Sequence, residues 1–112
     1  PFEPSFEREV RAAEEPRAAF ESARGQQDAA AALHALWRWI VAELGVRGGD
    51  RIHEGATYRE ILGRARRIGP DRQALSTLGR LARASERWLY RGEPFAVEDV
   101  VAMREALGGW LR

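Results

Sequence analysis

Large apolar residues recur every three or four positions along most of this chain, and no other feature limits its fold as strongly. Residues spaced in this way lie on one face of an α-helix, where they form a buried stripe. Strand-like alternation of apolar and polar residues appears nowhere at useful length. We therefore expect an all-α domain. The clearest stripe consists of Leu33, Leu36, Trp37, Ile40 and Leu44.

Capping residues and glycines divide this pattern into a compact bundle of about five helices with short loops. Asp28 predicts the start of a helix that ends at Leu44, with Gly45 in the position after it. Thr57 and Glu60 form a capping box at the start of the next helix, because the hydroxyl and the carboxylate can each satisfy a free backbone N–H group.

Capping residues and glycines also mark the helix ends in the second half of the bundle. Gly69 ends the capped helix, and Asp71 stands at the start of a long helix that runs to about Tyr90. Gly92 ends this long helix. A final helix follows, with Ala96 where a serine or threonine cap is expected.

The N-terminal residues form a lead-in or a short helix in front of this bundle. Phe6 and Val10 are four residues apart, which indicates a short helix. Proline is tolerated in the first turn of a helix and disfavoured in its interior, so we expect Pro16 to begin the next helix. The predicted division is a lead-in over residues 1–15 and a helical domain over residues 16–112.

The charge balance and the missing residue types exclude several functions. Eighteen basic residues nearly cancel 17 acidic ones, giving a formal charge of +1, whereas a dedicated nucleic-acid binder carries excess positive charge. All 18 are arginine, so the chain has neither a Schiff-base lysine nor the lysine of a phosphate-binding loop. Cysteine is also absent, which excludes disulfides, zinc–thiolate sites and thiol catalysis.

The remaining polar residues form no catalytic or metal-binding pattern. His34 and His53 are the only histidines, and neither has a second ligand at the spacing of a zinc site. Ser76, Thr77 and Ser85 lie within a helical pattern, with no glycine elbow around them. We therefore predict no catalytic residue, cofactor or metal, and no enzymatic activity in this part of the protein.

Four arginines of the long helix, Arg80, Arg83, Arg87 and Arg91, form what we call the arginine stripe. Their spacing places them near one line along the helix, opposite its apolar side. Together with arginines of the preceding helix they would make a cationic patch for anionic lipid or an acidic partner protein. The alternative is a solvated face softened by glutamates of neighbouring helices. The arginines of the preceding helix are Arg64, Arg66 and Arg67.

Glu86 and Tyr90 lie on one face of the same long helix because they are four residues apart. One interpretation makes them part of a recognition surface. The other is structural: Tyr90 packs near the helix end, and Glu86 pairs with a local arginine, Arg83 or Arg87. The structural interpretation is favoured, since pairs with this spacing are common in helices.

The tryptophans divide into two pairs. Trp37 and Trp88 fall on apolar stripes, which predicts that they lie in the core. Trp39 and Trp110 lie off or at the edge of theirs. For these two we expect half-buried packing at an edge, or one exposed ring that contacts a partner.

Three segments carry a family resemblance. They are ALHALWR at residues 32–38, the capped start TYREI at 57–61 and LGRLARASERWLYRGEP at 78–94. Together they resemble the helical domain of unknown function that closes many bacterial and archaeal membrane-anchored proteins, often transglutaminase-like ones. The resemblance covers residues 28–111. The sequence departs from the family pattern at Arg91, which separates Tyr90 from Gly92.

The resemblance implies a context and no reaction. Such domains usually follow a transmembrane helix and are thought to lie on the cytoplasmic side, and their genes often neighbour that of a MoxR-type ATPase. Because the chain begins with Pro1, we expect it to be a piece of a longer protein, and the resemblance implies a membrane anchor upstream. Within the chain we expect no membrane span, since Arg38 and Glu43 interrupt the best candidate at 36–44.

The predicted function is a non-catalytic protein-interaction or regulatory module, the soluble cytoplasmic tail of a membrane-anchored protein. Its expected partner is another protein, such as a MoxR-type ATPase or another component of a membrane complex, with anionic lipid as an additional contact. Two alternatives stay open. One is a free-standing helical adaptor, and the other is a helix-turn-helix domain that places residues 71–90 in the major groove of DNA.

Overall fold

The computed structural model describes residues 5–48, 52–53 and 55–111, with side chains from residue 15 onward. Over these residues the chain forms five α-helices and no strand, which confirms the all-α prediction. A short 3-10 turn follows the last helix. The bounds are Ser5–Gly25 for α1, Ala29–Gly48 for α2, Tyr58–Ile68 for α3, Arg72–Arg91 for α4, Val97–Leu107 for α5 and Gly108–Trp110 for the turn.

α1 is one continuous helix, and the prediction of two helices is wrong. It runs from Ser5 to Gly25 with Pro16 in its interior, so the boundary predicted between residues 15 and 16 falls inside a helix. A proline at this position removes one helical hydrogen bond. Its ring is buried, however, and α1 packs along α2, so apolar burial offsets the missing bond. Phe6 and Val10 lie outside the residues whose side chains are described.

α2 is the central helix and contacts α1, α3 and α5. It begins as predicted, because Asp28 Oδ1 accepts the Ala31 N–H group at 3.0 Å. Of the described helices it alone is long and apolar enough, by length and composition, to cross a membrane, although the two charged residues Arg38 and Glu43 lie within it. The alanines at 29–32 lengthen the run beyond the candidate at 36–44. Because 56% of the window is buried inside the bundle, a core position satisfies the same criterion.

The C-terminal end of α2 differs from the prediction. The helix continues to Gly48, past Gly45, which is buried within it and has no positive φ angle. A helix ends at glycine through a left-handed conformation, and that conformation is not adopted here. The last turn is held by Arg47, whose Nε lies 2.9 Å from Glu43 Oε2 and whose Nη2 donates to the Trp110 carbonyl at 2.9 Å.

The predicted caps of α3 and α4 are confirmed. Thr57 Oγ1 accepts the Glu60 N–H group at 3.1 Å, and Asp71 accepts a first-turn N–H group of α4 at 2.8 Å. The Glu60 carboxylate departs from the predicted capping box, since it accepts the Thr57 hydroxyl at 3.3 Å. Gly69 and Gly92 end the two helices in the left-handed region, with φ of 80° and 66°.

Three tryptophans lie in the core. Trp37 is buried as predicted. Trp39 and Trp110 are only 1% and 7% exposed, so the prediction of half-buried edge packing or an exposed ring is wrong for both. Trp39 is covered from neighbouring helices: the guanidinium carbons of Arg17 and Arg104 lie 5.1 and 4.6 Å from its ring centroid.

Candidate functional site

The arginine stripe lies on the outer face of α4, as predicted. All four of its side chains are exposed, while the opposite side of the helix buries Leu78, Ala82 and Ser85. The Asp71 cap and the left-handed Gly92 fix the two ends of this helix. α4 contains five arginines and a single carboxylate, which is Glu86. The direction in which Glu86 points therefore decides how much of the charge on α4 is compensated.

Glu86 pairs with Arg59 of α3, so the predicted pairing with Arg83 or Arg87 is wrong. Arg59 Nε and Nη2 donate to the two carboxylate oxygens at 3.2 and 3.3 Å. Hydrogen bonding to Glu86 and its charge raise the pKa of Arg59. The turn at Gly69 folds α4 back beside α3, which brings these distant residues together. The only carboxylate of α4 is thus directed away from the arginine stripe.

Tyr90 does not pack against the helix end as predicted, since it is 76% exposed. The position beside the buried Trp37 is occupied by Tyr58, with ring centroids 4.8 Å apart. Burial, and then the nearby Tyr90, raise the pKa of Tyr58. Leu89 is also exposed, by 56%, so the end of α4 presents two large apolar side chains.

A half-open cleft of about 410 Å³ lies between α4 and α5, with α2 beneath it. Arg80 and Arg87 of the stripe form part of its α4 wall. Leu33 of α2 and Leu81 of α4, both almost fully buried, form the apolar floor between the walls. The volume falls within the range of about 300–1,000 Å³ that is typical of ligand pockets. The link to α5 and α5 itself supply Phe95, Val100 and Met103.

Charged groups of both signs line the cleft. Arg87 Nε lies 3.3 Å from Glu93 Oε2, and both side chains are about half exposed. Arg80 Nη2 donates to the Thr77 hydroxyl at 3.4 Å, so its contact is with a neutral group. On the opposite wall, Asp99 Oδ2 accepts the N–H group of the α5 cap residue at 3.3 Å.

Three members of the stripe form no ion pair with any carboxylate that the structure describes. Among the described residues, no carboxylate oxygen lies within 4.0 Å of the guanidinium nitrogens of Arg80, Arg83 or Arg91. The alternative predicted for this face is a set of arginines neutralised by nearby glutamates. Among the described residues, it applies to Arg87 alone.

The arginines of α3 do not join the cleft. Arg66 and Arg67 are exposed, and Arg64 is half-buried with an interaction of its own. None of the three lines the cleft. The structure therefore places Arg80 and Arg87 in one recess and leaves the α3 members of the predicted patch outside it.

His53 and Ser85, two of the candidate chemical groups, make structural contacts. His53 Nε2 lies 3.3 Å from Glu60 Oε2 on the surface. In the part of the chain that the structure describes, no three His, Asp or Glu side chains are grouped to hold a metal ion. The Ser85 hydroxyl donates to the Leu81 carbonyl at 2.7 Å and accepts the Trp37 indole N–H at 2.9 Å, so it is engaged within the core.

The α5 side of the cleft is not part of the sequence prediction. Phe95 is positioned by Trp88, which is half-buried although a core position is predicted; their rings meet edge-on with centroids 5.4 Å apart. Met103 completes this wall from α5. One sequence feature does indicate that α5 packs beside α4. The link after Gly92 is short, and a short connection makes consecutive helices pack together.

No protein-family model, curated protein or solved structure matches the chain. The resemblance of residues 28–111 to the transglutaminase-associated helical domain therefore stays a prediction.

Proposed function

We propose that this chain is a non-catalytic protein-interaction module that binds an acidic partner through the cleft and the arginine stripe. The observation that carries the proposal is a partly apolar recess lined by Arg80 and Arg87. Arg80, like Arg83 and Arg91 elsewhere on the stripe, has no carboxylate within 4.0 Å among the described residues. Protein interfaces are enriched in arginine, methionine and aromatic residues, and this recess combines all three.

The recess favours a protein partner over a lipid surface or DNA. A membrane or a nucleic-acid backbone would contact the protruding guanidinium groups but would leave the apolar surface of Phe95 and Met103 in the recess unfilled. Side chains of a protein partner can insert there. The formal charge of +1 also provides little long-range attraction for a polyanion.

The cellular setting is part of the proposal and rests on the family resemblance alone. The resemblance suggests a cytoplasmic tail of a membrane-anchored protein, with a MoxR-type ATPase or another membrane-complex component as its partner. An anionic membrane nearby would give the stripe a second contact, worth about 1 kcal/mol per arginine at the surface.

Charge reversal on the stripe tests the proposal. We expect the double variant Arg80→Glu/Arg83→Glu to capture about tenfold less partner in affinity purification from cells that make the protein, because each reversal replaces an attraction by a repulsion. The matched control is Arg66→Glu/Arg67→Glu, which changes the charge equally at exposed α3 positions outside the cleft. The control should retain the partner.

Equal capture by the two double variants would contradict the assignment of this surface. Two further assays separate the alternatives. If the wild type co-sediments with phosphatidylserine vesicles and captures no protein, the surface binds a membrane instead of a protein partner. A gel shift with DNA that weakens steeply with salt would favour the helix-turn-helix alternative.

A further inference from the structure

One guanidinium of the cleft is already bound by a carboxylate of the same chain. Glu93, in the link between α4 and α5, places Oε2 3.3 Å from Arg87 Nε, and the two side chains are 50% and 49% exposed. An ion pair with this exposure contributes at most a small stabilisation. A carboxylate from another molecule can therefore replace Glu93 at low cost.

We propose that the cleft binds an acidic amphipathic helix of a partner protein, and that Glu93 is an internal competitor which this helix displaces from Arg87. The inference rests on the proposed function and specifies the chemistry of its partner. Three features of the cleft support it: the spacing of the arginines, the apolar surface between the walls and the position of the acidic groups.

The stripe has the repeat that an α-helical ligand requires. Arg80 and Arg87 are seven residues apart, which corresponds to about 10 Å along α4. Arg91 extends the row to about 16 Å, or three helical turns. Carboxylates at positions i, i+3 or i+4 and i+7 of a helix lying beside α4 recur at the same interval. Such a helix can face several guanidinium groups at once.

The apolar surface of the cleft suits the inner edge of such a helix. Leu33 and Leu81 lie between the two walls, and Phe95 and Met103 flank them. Apolar residues next to the acidic row of the ligand can insert between the walls, as in other complexes of a helix with a groove. Methionine is unbranched and adapts to different inserted side chains. The half-open shape allows insertion from outside.

The acidic groups fix the orientation of the ligand. Asp99 lies on the α5 side, where its carboxylate caps the helix, and it repels a second carboxylate there. Arg80 and Arg87 lie on the α4 side, and Arg80 has no carboxylate within 4.0 Å among the described residues. The acidic row of the ligand must therefore face α4, and its other flank must be uncharged or basic.

A designed peptide tests the inference. The probe is a synthetic helix of about 18 residues, long enough to be partly helical alone, with a glutamate row beside a leucine row. A scrambled peptide of the same composition is its control. We expect fluorescence anisotropy to show tighter binding of the helical probe to the full chain, and weaker binding by Arg87→Gln.

The competitor role is tested by a pair of matched variants. Glu93→Gln should tighten binding of the probe about two- to fivefold, the equivalent of one exposed ion pair. Glu98→Gln makes the same charge change at an exposed residue outside the cleft and should leave the affinity unchanged. Thermal unfolding of each variant verifies that it is folded.

Three outcomes would overturn the inference. Equal tightening by Glu93→Gln and Glu98→Gln would show an effect of net charge alone. Equal binding of the helical and scrambled probes would remove the role of the helix. Failure of the probe to bind either the wild type or Glu93→Gln would exclude an acidic helix, while the capture experiment with Arg80→Glu/Arg83→Glu still decides the proposed function independently.

Discussion

At the scale of single residues, Ser85 links two helices through one buried hydroxyl. Its Oγ accepts the Trp37 indole N–H at 2.9 Å and donates to the Leu81 carbonyl at 2.7 Å, with no exposure to solvent. The bond joins α2 to α4 across 48 residues of sequence. It also gives the buried indole N–H group of Trp37 a hydrogen-bond acceptor.

We expect Ser85→Ala to lower the free energy of unfolding by about 1–3 kcal/mol, because the indole N–H of Trp37 would stay buried without an acceptor. Urea denaturation followed by tryptophan fluorescence measures the change. Ser76→Ala, at an exposed position on the same helix, is the control and should shift stability by no more than about 0.5 kcal/mol. Equal losses for the two variants would contradict the role of the hydrogen bond.

The burial of a side chain is predicted correctly from the sequence where the residue's own helix determines its environment. Trp37 lies on the apolar stripe of α2 and is buried accordingly. Trp39 lies off that stripe, and its cover comes from side chains of α1 and α5. Glu86 has arginines close by in sequence, yet it binds Arg59, 27 residues away. Contacts supplied by another helix are invisible to local spacing.

At the scale of helices, the predicted ends are correct where a side chain or a left-handed glycine defines them. Thr57 and Asp71 accept first-turn N–H groups, and Gly92 has a positive φ angle. Pro16 and Gly45 are wrong as boundaries, because burial against neighbouring helices keeps the helical backbone intact there. Packing energy exceeds the cost of one missing bond or one glycine.

The start of α5 lacks a side-chain cap, which makes it a site for stabilisation. Ala96 has φ −92° and ψ 152°, the backbone of a cap residue, and its N–H group donates to Asp99 Oδ2 at 3.3 Å. We expect Ala96→Ser to complete a capping box and to raise the free energy of unfolding by about 0.5–1 kcal/mol. Urea denaturation measures it.

The control for this variant is Ala102→Ser, the same exchange at an exposed position inside α5. There the serine should lower stability by about 0.5 kcal/mol through its weaker helix propensity. If both serines destabilise the protein, the cap geometry at residue 96 is not as described.

At the scale of the whole molecule, Trp39 joins three helices. Its ring belongs to α2, contacts Phe20 of α1 at a centroid distance of 6.1 Å and receives guanidinium groups from α1 and α5. Arg17 is exposed, whereas Arg104 is half-buried and closer to the ring. Cation–π attraction strengthens as water is removed from the pair.

The two arginines should therefore contribute unequally. We expect Arg104→Gln to lower the free energy of unfolding by about 1–2 kcal/mol and Arg17→Gln by about 0.5 kcal/mol. Arg66→Gln, at an exposed position of α3, accounts for the general effect of losing one charge. Guanidinium chloride is unsuitable as denaturant because it screens these contacts, so urea is used. A larger loss for Arg17→Gln would contradict the assigned geometry.

The cleft is formed by several helices of the molecule, and only its α4 wall can be predicted from the sequence. The exposed side of α4 follows from helical spacing, so Arg80 and Arg87 are found from sequence. The α5 wall depends on how the link after Gly92 turns, and Phe95 and Met103 carry no local sign that they face those arginines. The helical repeat predicts the direction in which a side chain points from the helix axis. It does not predict which neighbouring helix or loop that side chain contacts.

The pairing of Glu86 with Arg59 has a consequence for how the protein moves in solution. With its only carboxylate turned toward α3, α4 presents four arginines along the outer face of a nearly neutral molecule, which concentrates positive charge on one side. In the field of an acidic surface such a molecule rotates this side forward before the two touch. Ionic strength should then govern the frequency of correctly oriented encounters more than the lifetime of the complex.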